Sequence, residues 1–85
     1  MARILIVEDD EGIAHLESSR LERCGHQVTT ARTTTEALRV VEKNRDVDLF
    51  ILDYSLNEDI NGLALFLILK ERGFNVPAIL VTGFE

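Results

Sequence analysis

An α/β fold with a parallel sheet is what the 85-residue chain predicts, on three observations. Apolar runs of strand length recur along it, segments with helical periodicity separate them, and short polar joints connect the two. The first run, Arg3–Val7, is nearly continuous in apolar residues, as a strand covered on both faces would be. Residues 12–23 then read as a helix with Ile13, Leu16 and Leu21 inward and Glu17, Ser18 and Glu22 outward. Gly25 follows the last turn, where a left-handed cap is expected. Residues 27–30 are a β-branched stretch suited to an edge strand.

Thr33-Thr34-Thr35-Glu36 has the spacing of a capping box, in which the Thr33 hydroxyl accepts from a backbone N–H and Glu36 reaches back. It opens a helix with Ala37, Leu38 and Val41 on its inner face. Asp46 and Asp48 flank a turn into the strand 49–52, and a polar loop, 55–61, leads to a helix over 62–72. Gly73 ends that helix, and Pro77 sets up the strand Ala78–Val81, which runs into Thr82. The order is β-α-β-α-β-α-β, and short joints between alternating elements imply right-handed crossovers. The third helix, with Leu63-Ala64-Leu65-Phe66-Leu67-Ile68-Leu69, is apolar nearly all round. A helix wedged deeply between neighbours explains this best; a partner-binding or self-association surface is the sharper alternative.

Composition narrows the function classes. The chain is 46% hydrophobic and 28% charged with a formal net charge of -6. Its lysines and arginines are scattered among acids, which argues against nucleic acid or an anionic membrane as a direct partner. No apolar stretch reaches membrane-spanning length and no signal peptide precedes the first strand, so a cytoplasmic location is expected. The single cysteine, Cys24, is expected to be a buried or half-buried packing thiol. His15 is expected on a helix surface and His26 in the turn after Gly25; neither has metal-ligand spacing.

Chemistry gathers where strands end. Four acids, Glu8-Asp9-Asp10-Glu11, follow the first apolar run, and Asp53 follows the third. In a parallel sheet the ligand site lies beyond the C-terminal strand ends, near the point where strand order reverses. Glu8, Asp9, Asp53 and Thr82 all fall there. Crowded carboxylates repel, and Mg²⁺, which binds through one or two carboxylates plus phosphate oxygens and waters, offsets that repulsion. A carboxylate at such a site can itself be the nucleophile, giving an acyl phosphate. Thr82 offers a hydroxyl to a phosphoryl oxygen, small Gly83 leaves the approach open, and Ser55 has a backbone carbonyl for the metal. The plainer reading of Asp10 and Glu11 is helix capping. Asp53 taken alone would suit a turn, and Thr82 alone a strand end; the joint pattern favours a site. A nucleotide- or flavin-binding domain of similar architecture is disfavoured, because the Glu8-to-Gly12 loop would repel phosphate and no Walker-type lysine is present.

These residues resemble the receiver domain of two-component response regulators along the whole chain. Residues 4–9 resemble the opening strand and its acidic pair, Asp53 the phospho-accepting aspartate, and Thr82-Gly83 the switch threonine and its small neighbour. The resemblance implies a flavodoxin-like doubly wound parallel sheet. It implies that Asp53 accepts a phosphoryl group from a phosphohistidine on a histidine kinase or histidine phosphotransfer protein. Asp9 would bind Mg²⁺, Glu8 would assist directly or through water, and Thr82 would move to bond the phosphate. Such a domain is an input module of a phosphorelay rather than an independent enzyme.

Two departures stand out. Asn57 occupies a place where proline is common in the family, and Gly62 lies nine positions past Asp53, a slightly long loop. Residues 1–85 also match only the N-terminal part of a receiver, lacking the last helix-strand-helix with its lysine and its aromatic. Neither Lys43, Lys70 nor any arginine matches that lysine. A lost charged hydrogen bond is worth roughly 1.5–3 kcal/mol, so the switch is expected to be impaired. The chain is expected to be a truncated, degraded or naturally shortened form that associates through its exposed fourth strand or apolar third helix. A pseudo-receiver that docks partners without phosphorylation is the alternative function.

Overall fold

The computed structural model describes residues 1–56 and 61–82. Seven elements follow one another: β1 (Arg3–Val7), α1 (Glu11–Arg23), β2 (Gln27–Ala31), α2 (Thr34–Lys43), β3 (Leu49–Asp53), α3 (Gly62–Glu71) and β4 (Ala78–Val81). The strands form one parallel sheet in the order β2-β1-β3-β4. The direction in which the chain adds strands therefore reverses after β2. Right-handed crossovers then put α1 on one face and both α2 and α3 on the other. This is the doubly wound α/β arrangement the sequence predicts, with β2 and β4 at the edges.

Strand alternation divides the core accordingly. Leu5, Val7, Phe50 and Leu52 cluster with Ala37 and Val41 of α2, Leu65 and Leu69 of α3, and Leu56 and Phe74. The Phe50 and Phe74 rings meet edge to face, 5.6 Å between centroids. The Arg45 guanidinium lies 4.2 Å over Phe74 and donates to the Arg72 carbonyl at 2.7 Å, closing the bottom of α3 over the ring. On the opposite face Ile4, Ile6 and Ala14 are buried.

Helix ends follow local chemistry. Asp10 caps α1, its carboxylate accepting from Ile13 N–H at 3.0 Å. Gly25, at φ 92°, lets His26 N–H return to the Leu21 carbonyl. His26 Nδ1 in turn accepts from Ala2 N–H at 3.0 Å, tying the start of β1 to the turn. Thr33 caps α2 through Glu36 N–H, as predicted. Glu36, however, accepts from Arg32 N–H and not from the cap residue, so the reciprocal bond lands one position earlier. Asn61 caps α3 by accepting from Ala64 N–H.

Three packing expectations need correction. Cys24 is exposed, because it occupies the C-cap beyond the last turn of α1. On α1 the inward residues are Ala14, Leu21 and half-buried Glu17 and Ser18, while Ile13 and Leu16 are 46% and 50% exposed. The helix touches the sheet along a narrower strip than its apolar residues suggest. Helix α3 is also not wedged in: Leu65 and Leu69 face the core, but Leu63 and Leu67 are 43% and 56% exposed on the far side. The fourth strand is uncovered as expected, with Ile79 and Leu80 exposed. No helix among the described residues is long and apolar enough to cross a membrane.

Candidate functional site

Register assembles the acidic rim. Val7 lies opposite Leu52 on one side and Ala31 on the other. One residue further, Glu8 N–H donates to the Ala31 carbonyl at 2.9 Å, so the ladder continues past β1. Glu8 and Asp53 therefore leave the sheet at the same level on adjacent strands. These two strands, β1 and β3, flank the point where strand order reverses, where crossovers diverge and leave a crevice. One carboxylate oxygen from each of Glu8, Asp9 and Asp53 lies within 4.8 Å of the others.

The three acids differ in setting. Glu8 is buried, whereas Asp9 and Asp53 are half-buried. Burial, and then the charge of Asp53 and side-chain contacts with Asp53 and Asp9, push the Glu8 carboxyl up to about 7 against the partial relief of Asp10 N–H. That N–H donates to Glu8 Oε2 at 3.1 Å. An acid raised first by burial and then by neighbouring acids marks a site short of positive charge. Mg²⁺ coordinates oxygens at about 2.1 Å in an octahedron, so oxygens on one such ion are at most about 4.2 Å apart, and the three carboxylate oxygens, within 4.8 Å of one another, are near that spacing. The influence of Asp53 reaches α1 as well, where burial and its charge raise the half-buried Glu17 carboxyl.

Other predicted residues take their places around this cluster. Ser55 N–H donates to Asp53 Oδ1 at 3.2 Å, which orients the carboxylate from its own loop. Asp53 pairs with Val81, so Thr82, exposed, stands one residue beyond that level on the neighbouring strand. The Asp10 and Glu11 carboxylates stand apart from the cluster: that of Asp10 caps α1 and that of Glu11 faces Arg32 at 3.5 Å. Asn57 and Gly83 lie outside the described residues. Lys43 and Lys70 sit in the last turns of α2 and α3, toward the end of the sheet opposite the acids.

The sequence marks Gly62 as a helix-opening glycine nine positions past Asp53, but not its contact with that residue. A Cβ on Gly62 would lie 2.4 Å from the Asp53 carbonyl oxygen. Nothing local announces so close an approach, since the two residues meet only after the loop has closed.

Comparison with known proteins agrees with this architecture. The response regulator receiver domain family matches residues 4–85. The chain is 36% identical over 82 residues to the transcriptional regulatory protein GlrR of Escherichia coli K12, covering 96% of this chain and 18% of that protein. It is 34% identical over 81 residues to the alkaline phosphatase synthesis transcriptional regulatory protein PhoP of Bacillus subtilis, covering 95% of this chain and 33% of that one. Among solved structures, the non-phosphorylated HemR receiver domain of Leptospira biflexa superposes with a TM-score of 0.85 at 35% identity, over 96% of this chain and 64% of that one. The response regulator TrrA of Thermotoga maritima, in complex with Mg²⁺-BeF, gives 0.88 at 30% identity over all of this chain and 72% of that one. With its residues matched almost from end to end and its strands in receiver order, the chain belongs to the response regulator receiver domain family.

Proposed function

We propose that this chain is a phospho-accepting module that takes a phosphoryl group from a phosphohistidine onto Asp53. The observation that carries this is the convergence of Glu8, Asp9 and Asp53 within 4.8 Å at the strand-order reversal. An Asp53 carboxylate oxygen attacks phosphorus, and a P–O bond forms as the P–N bond to the partner's imidazole breaks, the ring nitrogen keeping the electron pair. Mg²⁺, held by Glu8, Asp9, Asp53 and the Ser55 carbonyl, would neutralise carboxylate charge and ligate an oxygen of the incoming group. Ser55 N–H keeps Asp53 Oδ1 oriented. The Thr82 hydroxyl, at the same rim, donates to the phosphoryl oxygen once it has arrived. The relative solved with Mg²⁺-BeF supports the same cation and a phosphoryl mimic for this fold.

The partner is a histidine kinase or a histidine phosphotransfer protein, and the module acts as an input domain in the cytoplasm, residues 1–85 being the N-terminal part of a receiver. Relatives named transcriptional regulators point to a transcriptional output as the place where the phosphorylated state is read. The test is intact mass after incubation with Mg²⁺ and acetyl phosphate. A hydroxylamine-labile phosphate adduct is expected on the chain and not on Asp53→Asn; its absence from both overturns the proposal for this chain.

A second reading rests on the two lysines lying away from the acids. With Lys43 and Lys70 away from the acids, the domain would on this reading dock partners and not be phosphorylated. That reading wins if Asp53→Asn leaves partner binding and signalling unchanged in the full-length protein.

A further inference from the structure

Gly62 has an ordinary backbone conformation: positive φ among the glycines belongs to Gly25 and Gly73 alone within the described residues. Conformational freedom is therefore not what calls for glycine at this position. Space is. An added Cβ would stand 2.4 Å from the Asp53 carbonyl oxygen, 2.9 Å from its carbon and 3.1 Å from Tyr54 Cα, all backbone atoms. Relief at ordinary contact distances near 3.5 Å requires a shift of roughly 1 Å.

The strand cannot supply that shift. β3 is hydrogen-bonded to β1 on one side and to β4 on the other, and Tyr54 N–H extends the ladder to the Val81 carbonyl at 2.8 Å. Gly62 N–H meanwhile donates to the Tyr54 carbonyl at 3.0 Å. The loop that leaves Asp53 is thus pinched shut at its base, with Gly62 seated against the backbone of the acceptor residue. The Tyr54 carbonyl held in the pinch belongs to the same peptide unit as Ser55 N–H, which orients Asp53 Oδ1.

We propose that Gly62 is a positioning residue for the acidic rim: its missing side chain lets the pinch close, and the pinch fixes the Tyr54–Ser55 peptide for cation binding. The proposal rests on the reading of Glu8, Asp9, Asp53 and the Ser55 carbonyl as a Mg²⁺ site. It deepens that reading by locating what holds the loop half of the site. An alanine methyl forces the start of α3 outward, breaks the Gly62-to-Tyr54 bond and frees the peptide to tilt. Supporting groups of this kind are worth about 10–100-fold in metal affinity.

The experiment compares wild type, Gly62→Ala and Val41→Ala by Mg²⁺ titration followed in amide NMR spectra. Val41 is fully buried toward the C-terminal end of α2, at the end of the sheet opposite the acids, and its truncation lowers stability, so it separates instability from mispositioning. The expected result is Mg²⁺ affinity lowered about 10–100-fold by Gly62→Ala and unchanged by Val41→Ala. Equal affinity in Gly62→Ala and wild type overturns the proposal, as does an equal loss in both variants. Failure of wild type to bind Mg²⁺ instead sinks the metal site itself, and the positioning role with it. If Gly62→Ala does not fold, amide exchange in wild type decides: Mg²⁺ should slow exchange at Gly62 more than at Ala37 in α2. Equal slowing at both would mean global stabilisation only and overturn the proposal.

Discussion

Removing the Glu8 charge tests the electrostatics of the rim. Glu8 is 6% exposed and its carboxyl is raised from an ordinary 4.5 to about 7, first by burial and then by Asp53. Between those two values the folded state holds a proton that the unfolded chain has released. Stability without metal therefore falls as pH rises through that window. Each pH unit between the two values costs about 1.4 kcal/mol, so the fall reaches about 3.5 kcal/mol at most. In a domain this size 1 kcal/mol moves Tm by about 4–8 °C. Thermal melts in EDTA from pH 5 to 7.5 should show the wild-type Tm dropping by several degrees or more. Glu8→Gln should keep only a weaker slope of the same sign, because Glu17 is also raised by burial and by Asp53. The double variant with Glu17→Gln should show a weaker slope still. Saturating Mg²⁺ should restore the wild-type Tm at pH 7.5 far more than at pH 5, since binding requires the ionised carboxylate. A flat wild-type profile in EDTA, or an undiminished slope in Glu8→Gln, would refute the reasoning.

Two other perturbations read the fold itself. Phe50→Ala removes a ring that is 1% exposed and packed edge to face on Phe74. A loss of about 3–5 kcal/mol is expected, seen as loss of a cooperative urea transition, and a change below about 1 kcal/mol would contradict the packing described. Ile79, 50% exposed on edge strand β4, should drive concentration-dependent association of this chain, measurable by sedimentation velocity. Ile79→Lys should shift the chain toward monomer with little effect on Tm; a wild type that is monomeric at every concentration would dismiss the edge as an interface.

The fold is legible wherever a single local rule decides it. Thr33 ahead of Glu36, Gly25 after α1 and the apolar run of β1 each carry their own explanation, and each element appears where its residues place it. Side-chain burial is less legible because periodicity gives the spacing of a face but not its width. The α1 pattern suggests one inward strip through Ile13 and Leu16; in the fold the strip runs through Ala14 and Leu21. Glu17 follows from the same displacement, outward in the pattern and half-buried in the fold. On α3 the rule fails in the other direction: apolar residues all round suggest full burial, yet one sheet covers only one side of a helix, and Leu63 and Leu67 face away from it.

The acidic rim is legible for a reason that also marks its limit. Parallel strands in register carry whatever follows them to a common level, so a residue one step past each apolar run can be placed without knowing any contact. Glu8 one step past Val7 and Asp53 one step past Leu52 obey that arithmetic. It says nothing about how a loop returns. Gly62 comes back to Asp53 across a loop of which only the length is visible in the sequence, and the start of a helix is reason enough for a glycine there. The contact distance supplies a sharper reason, since at 2.4 Å the missing methyl group matters more than the backbone freedom. Strand register thus accounts for the carboxylates of the site, while the orientation of Asp53 depends on closure of the loop that follows it. Substitutions at Gly62 should therefore disturb cation binding, and substitutions at the helix caps remote from the rim should disturb stability alone.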